Sequence, residues 1–145
     1  MKIKKASIDD AINLTRICRK NKFETDRDWK EILESKKNEV FLLVDGKKII
    51  GFTGLTKHTW NNTLQIIDVF INPEFRRRGL GLKLIRFLKE RAKKTKFRCL
   101  IAEAPSSNPV FKLYKKAGFR KCGYNDRYYS NSGKEIALWM SFDLK

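Results

Sequence analysis

An α/β fold on a mixed, largely antiparallel sheet is what this sequence predicts, and three observations predict it. Short apolar runs of strand length alternate with helical patterns in the order β-α-α-β-β-β-α-β-α-β-β. Turn signals at Asp45-Gly46 and Asn61-Asn62 join three successive strands by short connections. The 145 residues are 41% hydrophobic with only 8 Gly and 3 Pro, enough apolar side chain for the core of one domain spanning 1–145.

The elements follow in order. Residues 2–7 read as a short edge strand. Asp9-Asp10 then opens a helix ending near Asn21, with Ile12, Leu14, Ile17 and Cys18 on its inner face. A second, acidic helix is expected at 26–36, with Trp29, Ile32 and Leu33 inward. Residues 40–44 and 49–55 form a hairpin across Asp45-Gly46, a type I′ signal. The apolar run 64–71 is a central strand that Pro73 ends. From Leu80, the positions Leu84, Ile85, Leu88 and Ala92 recur at helical spacing, with Arg86, Lys89, Glu90, Arg91, Lys93 and Lys94 outside. Residues 97–103 make another buried strand. Pro109 begins a short helix through Phe111, Leu113 and Tyr114 that Gly118 stops, and 119–124 and 136–144 are the last strands.

Composition removes several classes of protein. No apolar run approaches the length of a membrane helix, and no apolar stretch follows Met1-Lys2-Ile3-Lys4-Lys5, so neither a membrane span nor a secretory signal is expected. Cys18, Cys99 and Cys122 are odd in number and far apart, and His58 is the one histidine, which speaks against a disulfide framework and a metal site. Cys99 and Cys122 read as buried strand residues, and His58 as a strand-end surface residue. A soluble chain of the reducing cytoplasm is the expectation.

Charge points to a partner. The net value is +17, from 33 Lys+Arg against 16 Asp+Glu. Residues 75–121 hold 16 of those bases and only two acids, Glu90 and Glu103. Such concentration suits a polyanion: a phosphorylated cofactor, a nucleic acid or a membrane surface. Residues 24–39 are the opposite, with Glu24, Asp26, Asp28, Glu31, Glu34 and Glu39 against four bases.

The sharpest motif is Arg76-Arg77-Arg78-Gly79-Leu80-Gly81, between a central strand and an amphipathic helix. A glycine-containing turn entering a helix offers free N–H groups and the positive end of the helix dipole, an environment for a phosphate or pyrophosphate. It is neither a dinucleotide fingerprint, since Leu84 stands at the third glycine position, nor a Walker loop. Downstream lies a second motif, Glu103-Ala-Pro-Ser-Ser-Asn108-Pro109, then Leu113-Tyr114 and Gly118-Phe119.

Together, in this order and with a strand between them, the two motifs resemble the GNAT superfamily of N-acetyltransferases. The segment Arg127-Tyr128-Tyr129 with Ala137-Leu138-Trp139-Met140 is similar to the ribosomal-protein-alanine and other protein N-terminal acetyltransferases within it. The resemblance implies a GNAT fold with helices on both sheet faces, acetyl-CoA as co-substrate without a metal, and a primary amine as acceptor. That amine would be a protein N-terminus or, second, a small amine or polyamine. It further implies that backbone groups of Val69, Phe70 and Ile71 orient the cofactor arm. The turn Arg76, Arg77, Arg78, Gly79, Leu80, Gly81 and Leu82 would hold the pyrophosphate, Asn108 would contact the pantetheine, and Tyr114 would protonate the leaving thiolate. Early acidic helices would border the acceptor cleft, with Glu31 and Glu34 attracting a cationic amine. Ser107 occupies the strictly aligned place, so Asn108 is either a cofactor contact or a cap before Pro109. Oligomeric state, monomer or homodimer, and association with nucleic acid or the ribosome stay open.

The chemistry needs a proton acceptor, because an ammonium group cannot attack a thioester. Two carboxylates sit in apolar strands: Glu103, with Cys99 and Ile101 on one face, and Asp68, with Ile66 and Phe70 on another. Burial raises a carboxyl pKa toward neutrality, which suits a general base. Glu103 also matches the position of the base proposed in the ribosomal-protein enzymes. A non-catalytic, nucleic-acid-binding module is the rival reading. Against it, segment 75–121 lacks interleaved exposed aromatics.

Overall fold

A computed structural model describes residues 1–145, and its elements appear in the expected order. They are β1 (Lys2–Lys5), α1 (Ala11–Lys20), α2 (Trp29–Glu34), β2 (Asn38–Asp45), β3 (Lys48–His58), β4 (Thr63–Ile71), α3 (Leu80–Lys93), β5 (Cys99–Pro105), α4 (Val110–Lys116), β6 (Arg120–Asn125) and β7 (Ala137–Asp143). The strands form one sheet in the order β1-β2-β3-β4-β5-β7-β6, antiparallel everywhere except between β4 and β5. No helix is long and apolar enough to cross a membrane.

Strand β2 shows how both faces are covered. Val40, Leu42 and Val44 pack with Leu14, Cys18, Trp29, Phe52 and Phe70 under α1 and α2. Its alternate residues Phe41 and Leu43 face the other layer, where Ile85, Leu88 and Ala92 of α3 and Tyr114 of α4 lie. Phe23, Phe52 and Phe70 stack with ring centroids 5.0–6.0 Å apart, and Trp29 meets Phe52 edge-on at 5.2 Å.

Two irregularities shape the sheet. The β3–β4 register slips between Thr53 and Leu55, so that Gly54 opposes both Ile67 and Asp68. This bulge interrupts the two-residue alternation: Ile66 belongs to the α3 layer, while Phe70 belongs to the α1–α2 layer. The expected common face for Ile66, Asp68 and Phe70 is therefore corrected. The second irregularity is the β4–β5 ladder, which joins only residues 63–65 to 99–101. Beyond it the strands part, and the sheet becomes two wings, β1–β4 and β5-β7-β6.

Smaller expectations also change. The β2–β3 register pairs Asp45 with Lys48, leaving Gly46 and Lys47 as the loop. Of these two only Gly46 has positive φ, +60°, the pattern of a type II′ rather than a type I′ turn. Ile12 points outward and is 70% exposed, since the α1 stripe narrows to Leu14 and Cys18. Helix α2 spans only Trp29–Glu34 because Asp28 caps it, its Oδ1 accepting from the Glu31 N–H at 3.1 Å. Cys122 is exposed, as β6 is an edge strand with little packed against it.

Candidate active site

The parting of β4 and β5 creates the site. On the α3–α4 side it opens a cavity of about 840 Å³, and on the α1–α2 side another of about 870 Å³. Val69, Arg76, Pro105, Asn108 and Val110 line both, so the two meet at the gap between the wings. Ligand cavities of this size are ordinary. What distinguishes these two is the backbone between them.

The Phe70 carbonyl is crowded against Gly51, so it faces β3. Alternation then turns the polar groups of Val69 and Ile71 toward the gap, where β4 has no ladder partner. There the Ile71 carbonyl accepts a hydrogen bond from Arg76 Nε at 2.8 Å. Val69 and Ile71 thus face the gap and line the first cavity. Phe70 does not: its backbone pairs with Phe52 and its ring is buried in the aromatic stack.

The Arg-rich turn walls the first cavity. Arg76, Arg77, Gly79, Leu80, Gly81 and Leu82 line it with Ser107, Asn108, Lys112 and Lys116. Arg77 and Gly79 adopt left-handed φ of +63° and +76°, folding the chain tightly before α3. A Cβ on Gly79 would meet nothing, so the turn is open toward the cavity, whereas one on Gly81 would lie 3.1 Å from Leu113 Cδ1. Gly79 therefore serves backbone conformation and Gly81 the close approach of α3 to α4. Open N–H groups at the start of a fourteen-residue helix, with lysines opposite, fit a pyrophosphate. Arg78 stands apart from this lining and covers the Phe75 ring at 5.2 Å, and Arg76 lies over Phe70 at 5.7 Å. Asn108 Oδ1 accepts from the Val110 N–H at 3.0 Å, so it caps α4 while bordering both cavities. Ser107 Oγ donates to Glu135.

The second cavity contains the ionisable groups. Tyr114 and Glu103 line it with Asp68, Glu24, Arg27, His58, Gln65, Tyr128 and Tyr129. Tyr114, 3% exposed, packs 5.3 Å from Phe119. Burial, with the charges of Asp68 and Glu103, pushes its pKa well above that of a free phenol, so the proton stays on. Glu103 Oε1 is buried without a partner, and burial followed by the charges of Glu24, Asp68 and Glu135 raises its carboxyl pKa.

Asp68 differs. Arg27, from the loop between α1 and α2, binds both its oxygens, Nη2 reaching Oδ1 at 3.0 Å and Nη1 bonding Oδ2. Burial still pushes its pKa up to about 6 against the pull of that guanidinium. With both oxygens engaged, Asp68 is a fastening for the loop rather than a free base. Of the acids at 24–39 only Glu24 reaches the cavity: Glu31 lies in the first turn of α2, and Glu39 pairs with Arg91 and Lys5. Glu31 and Glu34 thus do not border the cleft. Sequence reasoning missed Arg27 and His58, whose Nε2 is 2.8 Å from Gln65 Oε1. The fully apolar surroundings of Asp68 in its strand were the one signal that a cation must come from elsewhere.

Known proteins share this design. The chain matches the Acetyltransferase (GNAT) family over residues 8–119. It is 29% identical over 119 residues, 79% of this chain and 76% of the other, to a Bacillus subtilis protein provisionally named a ribosomal protein bS18-alanine N-acetyltransferase. The solved Escherichia coli ribosomal-protein-S18-alanine N-acetyltransferase superposes with a TM-score of 0.83 at 21% identity, covering 99% of this chain and 94% of that one. A Bacillus anthracis protein provisionally named a streptothricin acetyltransferase, solved in complex with acetyl coenzyme A, is 27% identical with a TM-score of 0.68 over 78% of this chain and 66% of that one. With this match over most of its length and a gap flanked by an Arg- and Gly-rich turn at a helix start, the chain belongs to the GNAT family of acetyl-CoA-dependent acetyltransferases.

Proposed function

We propose that this enzyme acetylates a primary amine, with a protein N-terminal amino group as the acceptor, Glu103 as general base and Tyr114 as general acid. One observation carries the reading: a carboxylate with one oxygen buried and unpartnered, Glu103, and a buried tyrosine, Tyr114, share one cavity beside the gap that leads to the Arg-rich turn. Acetyl-CoA, held along Val69, Ile71 and the amides of 77–82, supplies a thioester carbonyl to that gap. Glu103, with its raised pKa, takes a proton from the incoming ammonium group. Tyr114 keeps its proton until a thiolate needs one.

The choice of a peptide rests on shape and likeness. The acceptor cavity of about 870 Å³ is lined by Glu103, Arg27 and the exposed Tyr128 and Tyr129, at 49% and 39%, and its size suits a chain as acceptor. The likeness to a ribosomal-protein-alanine acetyltransferase agrees with it. A small polycation is the second reading, favoured by the acidic trio Glu24, Asp68 and Glu103.

The test is a panel of acceptors with labelled acetyl-CoA and mass-spectrometric readout. Peptides with a free α-amino group should be acetylated there, and their N-blocked, lysine-containing counterparts should not. Faster turnover of spermidine or streptothricin than of every peptide would replace the first reading with the second.

A further inference from the structure

The β3–β4 hairpin tip, at the end of β4 away from the Arg-rich turn, carries a surface the transfer chemistry does not use. Trp60, at the tip of the β3–β4 hairpin, is 85% exposed, more than any other large hydrophobic residue. The tip is firmly held. Asn61 accepts from Thr63 Oγ1 at 2.8 Å through its side chain and from Arg98 Nε at 2.9 Å through its carbonyl. The Asn62 carbonyl accepts from the Arg98 N–H at 2.9 Å, and Asn62 Nδ2 donates to the Lys96 carbonyl at 3.3 Å. The indole is thus presented by a fixed turn that lies against the chain entering β5.

Single exposed hydrophobic residues need no explanation, but this one has unusual neighbours. Lys57 precedes the tip on β3. Lys94, Lys96 and Arg98 lie in the connection it is bonded to, and Lys145 Nζ donates to the Lys96 carbonyl at 2.6 Å. None of these five cations has a carboxylate partner. Asp143, the acid at this end of β7, is 3.7 Å from Cys99 Sγ. The surface combines one aromatic plane with unneutralised positive charge drawn from separate stretches of chain.

We propose that this surface binds a single-stranded nucleic-acid segment, one base stacked on the Trp60 indole and the flanking phosphates on Lys57, Lys94, Lys96, Arg98 and Lys145. Stacking on an aromatic side chain is tolerant of base identity, and phosphate contacts release counterions, so binding should be sequence-tolerant and salt-sensitive. A membrane surface fits less well. The other exposed large hydrophobics, such as Ile12 and Tyr124, are not on the tip or the chain it is bonded to, which leaves one indole to insert. Strand β4 spans the nine residues Thr63–Ile71, about 26 Å at the usual rise, so the surface is remote from the Arg-rich turn that follows β4, while His58, two residues before Trp60, borders the second cavity.

The test measures fluorescence anisotropy of a labelled single-stranded RNA of about 12 nucleotides with the whole chain, with acetyl-CoA saturating to keep the phosphate turn occupied. Binding should persist under acetyl-CoA and weaken about tenfold in Trp60→Ala, while Trp60→Phe retains most of it. Lys94→Glu/Lys96→Glu should weaken it and flatten its dependence on salt, with acetyl transfer to a peptide unchanged in all three variants. The proposal is overturned if RNA fails to bind at low salt, if acetyl-CoA displaces it, or if Trp60→Ala binds as well as wild type. Trp60-dependent binding to phosphatidylserine-containing vesicles without binding to RNA would also overturn it, in favour of a membrane.

Discussion

Glu103 and Tyr114 are each held against their solvation preference, and each consequence can be measured. Tyr114→Phe keeps the ring against Phe119 and removes only the proton donor. A group acting on the transition state and not on ground-state binding changes kcat alone, so a loss of roughly 10- to 100-fold is expected, with acetyl-CoA affinity within about a factor of three. Steady-state kinetics with chemistry rate-limiting checks this, and a parallel loss of affinity would make the hydroxyl a binding group instead. For Glu103 the sign follows from burial. Its folded pKa is raised, so the protonated form persists to higher pH and base function disappears as pH falls through that raised value. The acid limb of kcat/KM should lie above the ordinary carboxylate range and vanish in Glu103→Gln, which should be at least tenfold slower. Stability runs the other way. The stabilisation associated with protonated Glu103 is fully present below the unfolded pKa and is lost as pH rises through the folded one. Thermal melts of Glu103→Gln should exceed wild type at pH 8, and the gap should close under acid conditions.

At the scale of elements, the start of α3 and the bulge in β4 do different work. The turn before α3 bends through left-handed Arg77 and Gly79, and the helix then lies close to α4 at Gly81. An L side chain in a left-handed conformation costs about 1–2 kcal/mol, so Gly79→Ala should lower stability by about that much and weaken acetyl-CoA binding by disturbing the turn amides. Gly81→Ala asks only that the Leu113 tip move slightly, and should leave binding near wild type. Gly81→Val asks the two helices to separate and should lower the melting temperature more. Calorimetric titration with CoA beside thermal melts separates these outcomes. The β4 bulge acts at longer range. It turns Asp68 toward Arg27, and that pair fastens the loop between α1 and α2 over the acceptor cavity.

Across the whole molecule, positive charge and the sheet's opening cooperate. Of the 16 bases in residues 75–121 only Arg91 and Lys93 have carboxylate partners, so most of the field is available to an anion. Raising salt from about 0.05 to 0.3 M should therefore raise KM for acetyl-CoA several-fold and that for a neutral-tailed peptide much less. Legible in the sequence alone were the element order, the Arg-Gly turn before α3 and the α4 segment bearing Tyr114. Each is a local pattern: strand-length apolar runs, a glycine turn before an amphipathic stripe, a proline opening and a glycine closing a short helix. Glu103 was also legible, as a carboxylate in an otherwise apolar strand. Tertiary structure decided what depends on distant partners. Arg27 takes Asp68 out of contention as a base across 41 residues, a pairing that no spacing encodes. Phe70 loses its expected role because a bulge and the β3 ladder, invisible in composition, turn its carbonyl away from the gap. Segment 75–121 shows no exposed aromatic among its charges, yet the turn bearing Trp60 is bonded through Asn61 and Asn62 to Arg98 and Lys96, next to the parallel pairing of β4 with β5. Sequence patterns report which face of an element prefers water, whereas only packing sets which charged or aromatic group waits on the neighbouring element.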